Sequence, residues 1–142
     1  MPEMRWIVLA APLLLLSACS GRPADQPPLG TVSGQIRLDG QPLADATVFF
    51  SPESGGRTSV GRTDAEGRYE LNYVGQEGGA KIGRHVVRVT TSQEVANPKT
   101  GRSMHTPEKV PRQYNEKSEL TRDVAEGANT IDLELTSSGP KK

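Results

Sequence analysis

Residues 31–38 read TVSGQIRL, and the order of apolar and polar side chains in this stretch decides the fold class. Val32, Ile36 and Leu38 fall on one face of an extended chain, and polar side chains fall on the other. An alternation with a period of two is typical of a β-strand with one buried face. The stretch therefore predicts a half-buried antiparallel strand, followed by a turn at residues 39–42.

The same alternation recurs along the rest of the chain. We expect further strands at residues 46–50, 58–63, 69–73, 84–91, 120–124 and 130–135. Clusters of Gly, Pro and Asp separate them, and residues 126–129 are expected to be the turn that joins the last two strands. No segment carries the apolar stripe of an amphipathic helix. About seven short strands at this spacing predict an all-β fold, a β-sandwich over residues 29–136.

Several groups of residues resemble a known family when they are taken in order. They are Gly34-x-Ile36, Gly40-x-Pro42-Leu43-x-x-Ala46-x-Val48, Thr63-Asp64-x-x-Gly67-x-Tyr69 and Gly83-x-His85-x-Val87-x-Val89. They resemble the carboxypeptidase regulatory-like domain, which usually has an aromatic residue where this chain has His85. The resemblance implies a seven-stranded Greek-key sandwich of the transthyretin-like type, related to the B-type repeats of collagen adhesins. Because the matching residues shape turns, the resemblance implies a fold without an activity.

The first residues resemble an export signal. An apolar run over residues 6–16 is followed by the small residues Ser17 and Ala18 and then by the single cysteine, Cys19. This pattern resembles the lipobox of bacterial lipoproteins. It implies a signal peptide over residues 1–18, acylation of Cys19 with fatty acids such as palmitate, and a Pro-rich tether up to residue 28. Ser20 resembles the signal that sorts such proteins to the outer membrane. The alternatives are a short membrane-spanning helix or a buried core segment, but the run is shorter than the roughly 20 residues that a bilayer requires.

Charge and cysteine content exclude several classes of function. The chain has 17 Lys and Arg residues against 17 Asp and Glu residues. A neutral chain has no long-range field to attract nucleic acid or an anionic membrane surface, so we expect no nucleic-acid partner. With Cys19 acylated, no thiol remains for a disulfide, a thiolate metal site or a nucleophile, and we expect no cofactor. Residues 137–142 are expected to form a disordered tail.

Two motifs have the residue types of metal ligands. His105 and Glu108 have the His-x-x-Glu spacing of two zinc ligands in metallocarboxypeptidases, but only His85 could complete the three ligands that catalytic zinc needs. Asp64 and Glu66 supply too few oxygens for calcium. We interpret the first motif as a solvated loop, the second as a turn, and His85 as a strand residue. The sequence therefore predicts no catalytic, cofactor-binding or metal-binding residue.

The long connection over residues 92–119 is the least explained part of the sequence. It carries six side chains suited to a polar ligand: Arg102, His105, Arg112, Tyr114, Asn115 and Lys117. Either these side chains bind such a ligand, as long loops often do, or Val110 and Tyr114 pin the loop over an open end of the sandwich.

We therefore expect a lipid-anchored, non-enzymatic protein of the bacterial cell envelope, attached to a membrane through the lipid on Cys19. Its sandwich would have a structural or protein-binding role, with an envelope protein or a glycan as partner. A carbohydrate-binding module is the alternative, for which Tyr114 is the aromatic side chain left outside the predicted core. A small metal-dependent hydrolase is a more distant alternative.

Overall fold

The computed structural model describes residues 27–75 and 77–138. The predicted signal peptide, Cys19, the tether as far as residue 26 and the last four residues of the predicted tail lie outside the described residues. The described residues form fourteen short strands and a 3-10 helix at Arg112–Tyr114. The strands are β1 (Leu29–Leu38), β2 (Gln41–Pro42), β3 (Thr47–Pro52), β4 (Ser59–Arg62), β5 (Arg68–Glu70), β6 (Asn72–Val74), β7 (Glu77–Gly78), β8 (Ala80–Lys81), β9 (Gly83–Thr90), β10 (Glu94–Ala96), β11 (Ser103–His105), β12 (Thr121–Val124), β13 (Gly127–Thr130) and β14 (Leu133–Leu135).

β1 forms the centre of the first sheet. Its neighbours β2, β5 and β8 run antiparallel to it, whereas β13 and β14 run parallel to it. The parallel pairs correct the prediction of a purely antiparallel strand. The predicted turn after β1 is confirmed, since Leu38 pairs with Gln41 across Asp39 and Gly40, which have φ angles of 53° and 80°. Two successive positive φ angles are typical of the tight turn that joins two adjacent strands.

The second sheet has the strand order β12-β9-β3-β4-β6-β7, and all its pairs are antiparallel. β9, which confirms the strand expected at residues 84–91, lies near the middle of the sheet, with His85, Val87 and Val89 buried on one face. Phe50 of β3 is fully buried, and its neighbour Phe49 lies on the outer face of this sheet.

The core lies between these two sheets. Ile36 and Leu133 from the first sheet and Phe50 and Val87 from the second are fully buried in one hydrophobic cluster. Burial of each such side chain contributes about 1.5–3 kcal/mol. The prediction of an all-β sandwich is therefore confirmed, although its strands are more numerous than the seven predicted. The described part of the chain has no helix with the length and apolar character that a membrane crossing requires.

The end of the chain differs from the prediction in its pairing. β12 pairs with β9 in the second sheet and not with the last strand. Residues 127–129, expected within a turn, belong with Thr130 to β13 in the first sheet, because Asn129 donates from Nδ2 to the carbonyls of Thr31 and Ala125. The segment between β12 and β13 is therefore a crossover between the two sheets.

His85 is a core residue, as its strand position predicts. Its side chain is fully buried, and its ring centroid lies 5.8 Å from that of Phe50. Nε2 lies 2.6 Å from the carbonyl oxygen of Lys81, which can only accept, so Nε2 carries the proton. Nδ1 has no hydrogen-bond partner among the described residues. The imidazole therefore fills part of the core.

Tyr69 connects β5 to the end of the first sheet. Its buried hydroxyl donates to the carbonyl oxygen of Ile131 over 2.6 Å. We expect Tyr69→Phe to lower the free energy of unfolding by about 1–2 kcal/mol, because that carbonyl then loses its partner. Tyr73→Phe is the control, since Tyr73 is half-exposed, and it is expected to change stability by less than about 0.5 kcal/mol. Urea denaturation measures both, and equal stability of the two variants would contradict the role of the hydroxyl.

Ionisation of the Tyr69 hydroxyl is expected to lower the stability of the fold at high pH. Burial, with a smaller effect of Asp132, raises the pKa of Tyr69 above its ordinary 10.0, and Arg122 opposes the shift. Because the pKa of Tyr69 is higher in the folded state than in the unfolded state, this side chain contributes stability to the fold. That stability is fully present below pH 10.0 and is lost as the pH rises through the folded-state pKa. The stability of Tyr69→Phe should therefore fall less steeply with alkaline pH than that of the wild type.

Candidate functional site

The segment over residues 92–119, in which the sequence predicts no strand, contains regular secondary structure. It contains the two-stranded ribbon of β10 and β11 and the 3-10 helix. Val110 is buried in the core and Tyr114 packs against it, so the predicted pinning of this segment over the sandwich is confirmed. The segment thus places a two-stranded ribbon at one end of the molecule.

Glu108 holds the start of this segment in place. Its carboxylate accepts hydrogen bonds from the backbone N–H groups of Thr91 (2.9 Å) and Val110 (3.0 Å) and from the hydroxyls of Thr90 and Thr91. Burial raises the pKa of Glu108, but these hydrogen bonds outweigh burial and hold that pKa below its ordinary value. The carboxylate of the His-x-x-Glu motif therefore stabilises a loop, whereas His105 lies exposed on β11.

The ribbon is fixed at its base. Gln93 donates from its side-chain amide to the carbonyl of Asp45 over 2.7 Å, and its backbone N–H donates to the Thr106 hydroxyl over 2.8 Å. The Thr106 hydroxyl in turn donates to the carbonyl of Thr91. At the far end, Asn97 Oδ1 accepts the backbone N–H of Lys99 and closes the turn between the two strands. The ribbon is thus attached at one end and projects from the sandwich.

One face of the ribbon is apolar. Val95 lies opposite Met104 in the pairing of β10 with β11, so the two side chains share a face. Val95 is 37% exposed and Met104 is 44% exposed. Such exposure is high for large apolar side chains, which are typically found in cores.

A groove of about 640 Å³ lies between this ribbon and the turn after β1. A volume in this range is typical of ligand sites. It is lined by Leu38, Gln41, Pro42, Leu43, Ala44, Asp45, Arg62, Thr91, Gln93, Val95, Thr106, Pro107 and Lys109. Arg62 Nη2 lies 3.5 Å from Asp45 Oδ1, and both side chains are mostly exposed. The groove therefore combines an apolar floor with charged groups at its edge.

None of the six polar residues predicted as a ligand set lines this groove. Arg102 and His105 are exposed on the ribbon, and Lys117 is exposed beyond the 3-10 helix. The remaining three have structural partners: Arg112 pairs with Glu116 at 2.8 Å, Tyr114 bonds to Thr136, and buried Asn115 donates to the carbonyl of Val110. The structure does not bring these six side chains together.

The residues that line the groove were not predicted from the sequence, although the sequence does contain a pattern that indicates the ribbon. A short alternation at residues 94–96 is followed by Asn97-Pro98 and Gly101 and then by a second alternation, which is the pattern of a hairpin. Asp45 and Arg62 come from distant parts of the chain, and no local pattern places them beside Lys109.

The remaining motif, with Asp64 and Glu66, is a turn, and the partly buried rings of Phe49 and Tyr114 have structural contacts. Asp64 Oδ1 accepts the backbone N–H groups of Glu66 and Arg68, each over 2.9 Å, as expected for a turn. Across residues 27–75 and 77–138, no three His, Cys, Asp or Glu side chains lie close enough to hold a metal ion. The guanidinium of Arg88 lies over the ring of Phe49, 5.4 Å from its centroid, and Tyr114 packs against the core.

Comparisons with known proteins assign no family to the chain. No family model matches it, and no curated protein matches it. A solved 9R-lipoxygenase from Cyanothece PCC8801 is 16% identical with a TM-score of 0.44, over 87% of this chain and 19% of that protein. A DUF3823 family protein from Parabacteroides merdae ATCC 43184 is 12% identical with a TM-score of 0.40, over 78% of this chain and 47% of that protein. The chain thus spans less than half of either protein, and both likenesses are weak.

Proposed function

We propose that this chain is a lipid-anchored, non-enzymatic protein of the bacterial cell envelope that presents its groove to a partner. The supporting observation is that the chain leads into the sandwich at one end and the groove lies at the other. Leu29, the first residue of β1, pairs with Lys81, whereas Leu38, the last, lines the groove. β1 has 10 residues, so these ends are roughly 30 Å apart at about 3.3 Å per residue.

This arrangement suits attachment through Cys19. Residues 20–28, when extended, reach up to roughly 30 Å at about 3.1 Å per residue. A bilayer that holds the lipid would lie nearer to the Leu29 end of β1, and the groove would face away from it. One acyl chain gives only marginal attachment, so stable anchoring requires the further acyl chains that the lipobox resemblance implies.

The groove favours binding over catalysis. Its two threonine hydroxyls are already engaged, since Thr91 donates to Glu108 and Thr106 donates to the carbonyl of Thr91. Asp45 and Arg62 neutralise one another, and the lining residues include no histidine or cysteine. A nucleophile activated by a neighbouring base, which covalent catalysis requires, is not assembled among these lining residues.

Lipid attachment is tested by radiolabelled palmitate. We expect the full chain, expressed in a diderm bacterium, to incorporate the label, and Cys19→Ala to lose it completely, because the thiol is the acceptor. Ser20→Ala is the matched control and should be labelled like the wild type. Equal labelling of wild type and Cys19→Ala would contradict the anchor.

A further inference from the structure

We infer that the groove binds an extended, acidic segment of a partner protein, with its apolar side chains against the ribbon and a carboxylate on Lys109. This inference rests on the binding role proposed above and is independent of the lipid anchor. It is carried by the shape of the groove, by its exposed apolar residues and by an unpaired cation.

The walls of the groove favour an extended chain. On one side lies the face of the ribbon that carries Val95, and on the other lie Leu38 and Pro42 from β1 and β2. The groove is partly open to solvent, so its occupant would remain partly in contact with water. Polar residues such as Gln93 interrupt its apolar floor. An extended peptide, whose apolar and polar side chains alternate, suits this floor better than a hydrocarbon chain, which requires an enclosed apolar site.

The described part exposes four large apolar side chains, and one of them, Val95, lines the groove. The four side chains are Val60, Val74, Val95 and Met104. Two of these four share the ribbon face described above, although the ribbon is small and otherwise polar. Exposed apolar groups that share one face beside a groove are typical of a docking surface, whereas single exposed residues are ordinary.

The charge of the groove favours an acidic partner. The backbone N–H of Lys109 donates to the Thr91 hydroxyl over 2.7 Å, which fixes the base of the side chain at the edge of the groove. Its ammonium forms no ion pair with any described residue. Arg62 is compensated by Asp45, so the lining residues carry one net positive charge. A carboxylate on the partner would complete this set of charges.

Fluorescence anisotropy of a labelled acetylated pentapeptide, Val-Asp-Val-Glu-Leu, tests the inference. The protein is the full chain, expressed from the 142-residue sequence and purified in detergent micelles. We expect the peptide to bind the wild type, and we expect Lys109→Glu to weaken binding about tenfold or more by charge repulsion. The same peptide with lysine in place of both acidic residues should bind the wild type at least about tenfold more weakly than the acidic peptide.

Matched variants separate the groove from a general charge effect. Lys117→Glu makes the same charge change on an exposed residue outside the groove and should bind like the wild type. Val95→Ser should weaken binding, whereas Val74→Ser, at a similarly exposed position on β6, should not. The inference is overturned if the acidic peptide does not bind, if Lys109→Glu binds it as the wild type does, or if the basic peptide binds equally well. Palmitate labelling decides the anchor separately, so either idea can fail without the other.

Discussion

Gly67→Ala is expected to destabilise the sandwich by about 4 kcal/mol or more, which is among the largest effects of a single substitution. Gly67 has a φ angle of 76°, a conformation that costs an L-residue roughly 1–2 kcal/mol. A Cβ at this position would also lie 2.5 Å from the carbonyl oxygen of Ile36. That oxygen accepts the N–H of Leu43, and the N–H of Ile36 donates to the carbonyl of Gly67. The new methyl group therefore disturbs the contact between β1 and the turn at residues 64–67.

Gly40→Ala separates the two causes of this effect. Gly40 has a nearly equal φ angle of 80°, but no atom lies within 4 Å of the Cβ position. Its substitution should cost only the conformational part, about 1–2 kcal/mol. Urea denaturation of the wild type and both variants gives the comparison. Equal losses at the two glycines would show that the close approach to Ile36 does not matter.

Glu108→Ala is expected to lower the free energy of unfolding by about 2–3 kcal/mol. The substitution removes a charged acceptor and leaves the backbone N–H groups of Thr91 and Val110 without their partner. Glu94→Ala, which removes an exposed carboxylate from β10, should change stability by less than about 0.5 kcal/mol. A thermal or urea unfolding series measures the difference, and similar values for the two variants would argue against a structural role for Glu108.

The pH dependence of Glu108→Gln gives an independent check. Because hydrogen bonds hold the pKa of Glu108 in the folded state below its ordinary 4.5, the carboxylate stabilises the fold above that pH. This contribution is lost as the pH falls through the lowered pKa. The wild type should therefore be more stable than Glu108→Gln at neutral pH, and the difference should shrink in acid. A difference that stays constant down to low pH would mean that the charge of Glu108 is not the cause.

Local chemistry made much of the sandwich predictable. Val87 and Val89 of β9 lie in the core, because β-branched side chains that alternate along a strand favour burial of the face that carries them. The turn at residues 64–67 was equally predictable, since Asp64 accepts backbone N–H groups and Gly67 supplies the positive φ angle. In both places the deciding interactions lie within a few residues of one another.

Strand pairing at the end of the chain could not be predicted in this way. Residues 127–130 read GANT and have weak preference for a strand. They form β13 because β1 offers unpaired backbone groups beside them and Asn129 donates to the carbonyl of Thr31. That interaction joins residues 98 positions apart, so no window of local sequence contains it.

The candidate site was harder to predict than the fold for the same reason. The ribbon residues are exposed on both strands and therefore lack the buried apolar alternation on which a strand prediction depends. The groove also requires Leu38 and Asp45 to meet Val95 and Lys109, which the tertiary arrangement alone brings about. The six polar residues of the loop were selected by chemical type alone, and all six prove to be exposed or engaged with structural partners.

The parallel pairing of β1 with β13 and β14 has a consequence for the kinetics of folding. The first strand of the sandwich meets its last two partners only after almost all of the intervening residues have been made, so many native contacts have a long sequence separation. Proteins dominated by such contacts fold slowly, in milliseconds to seconds. During synthesis the central strand stays open on one edge, and a nascent or truncated chain that ends before residue 127 would be exposed to proteases and to aggregation.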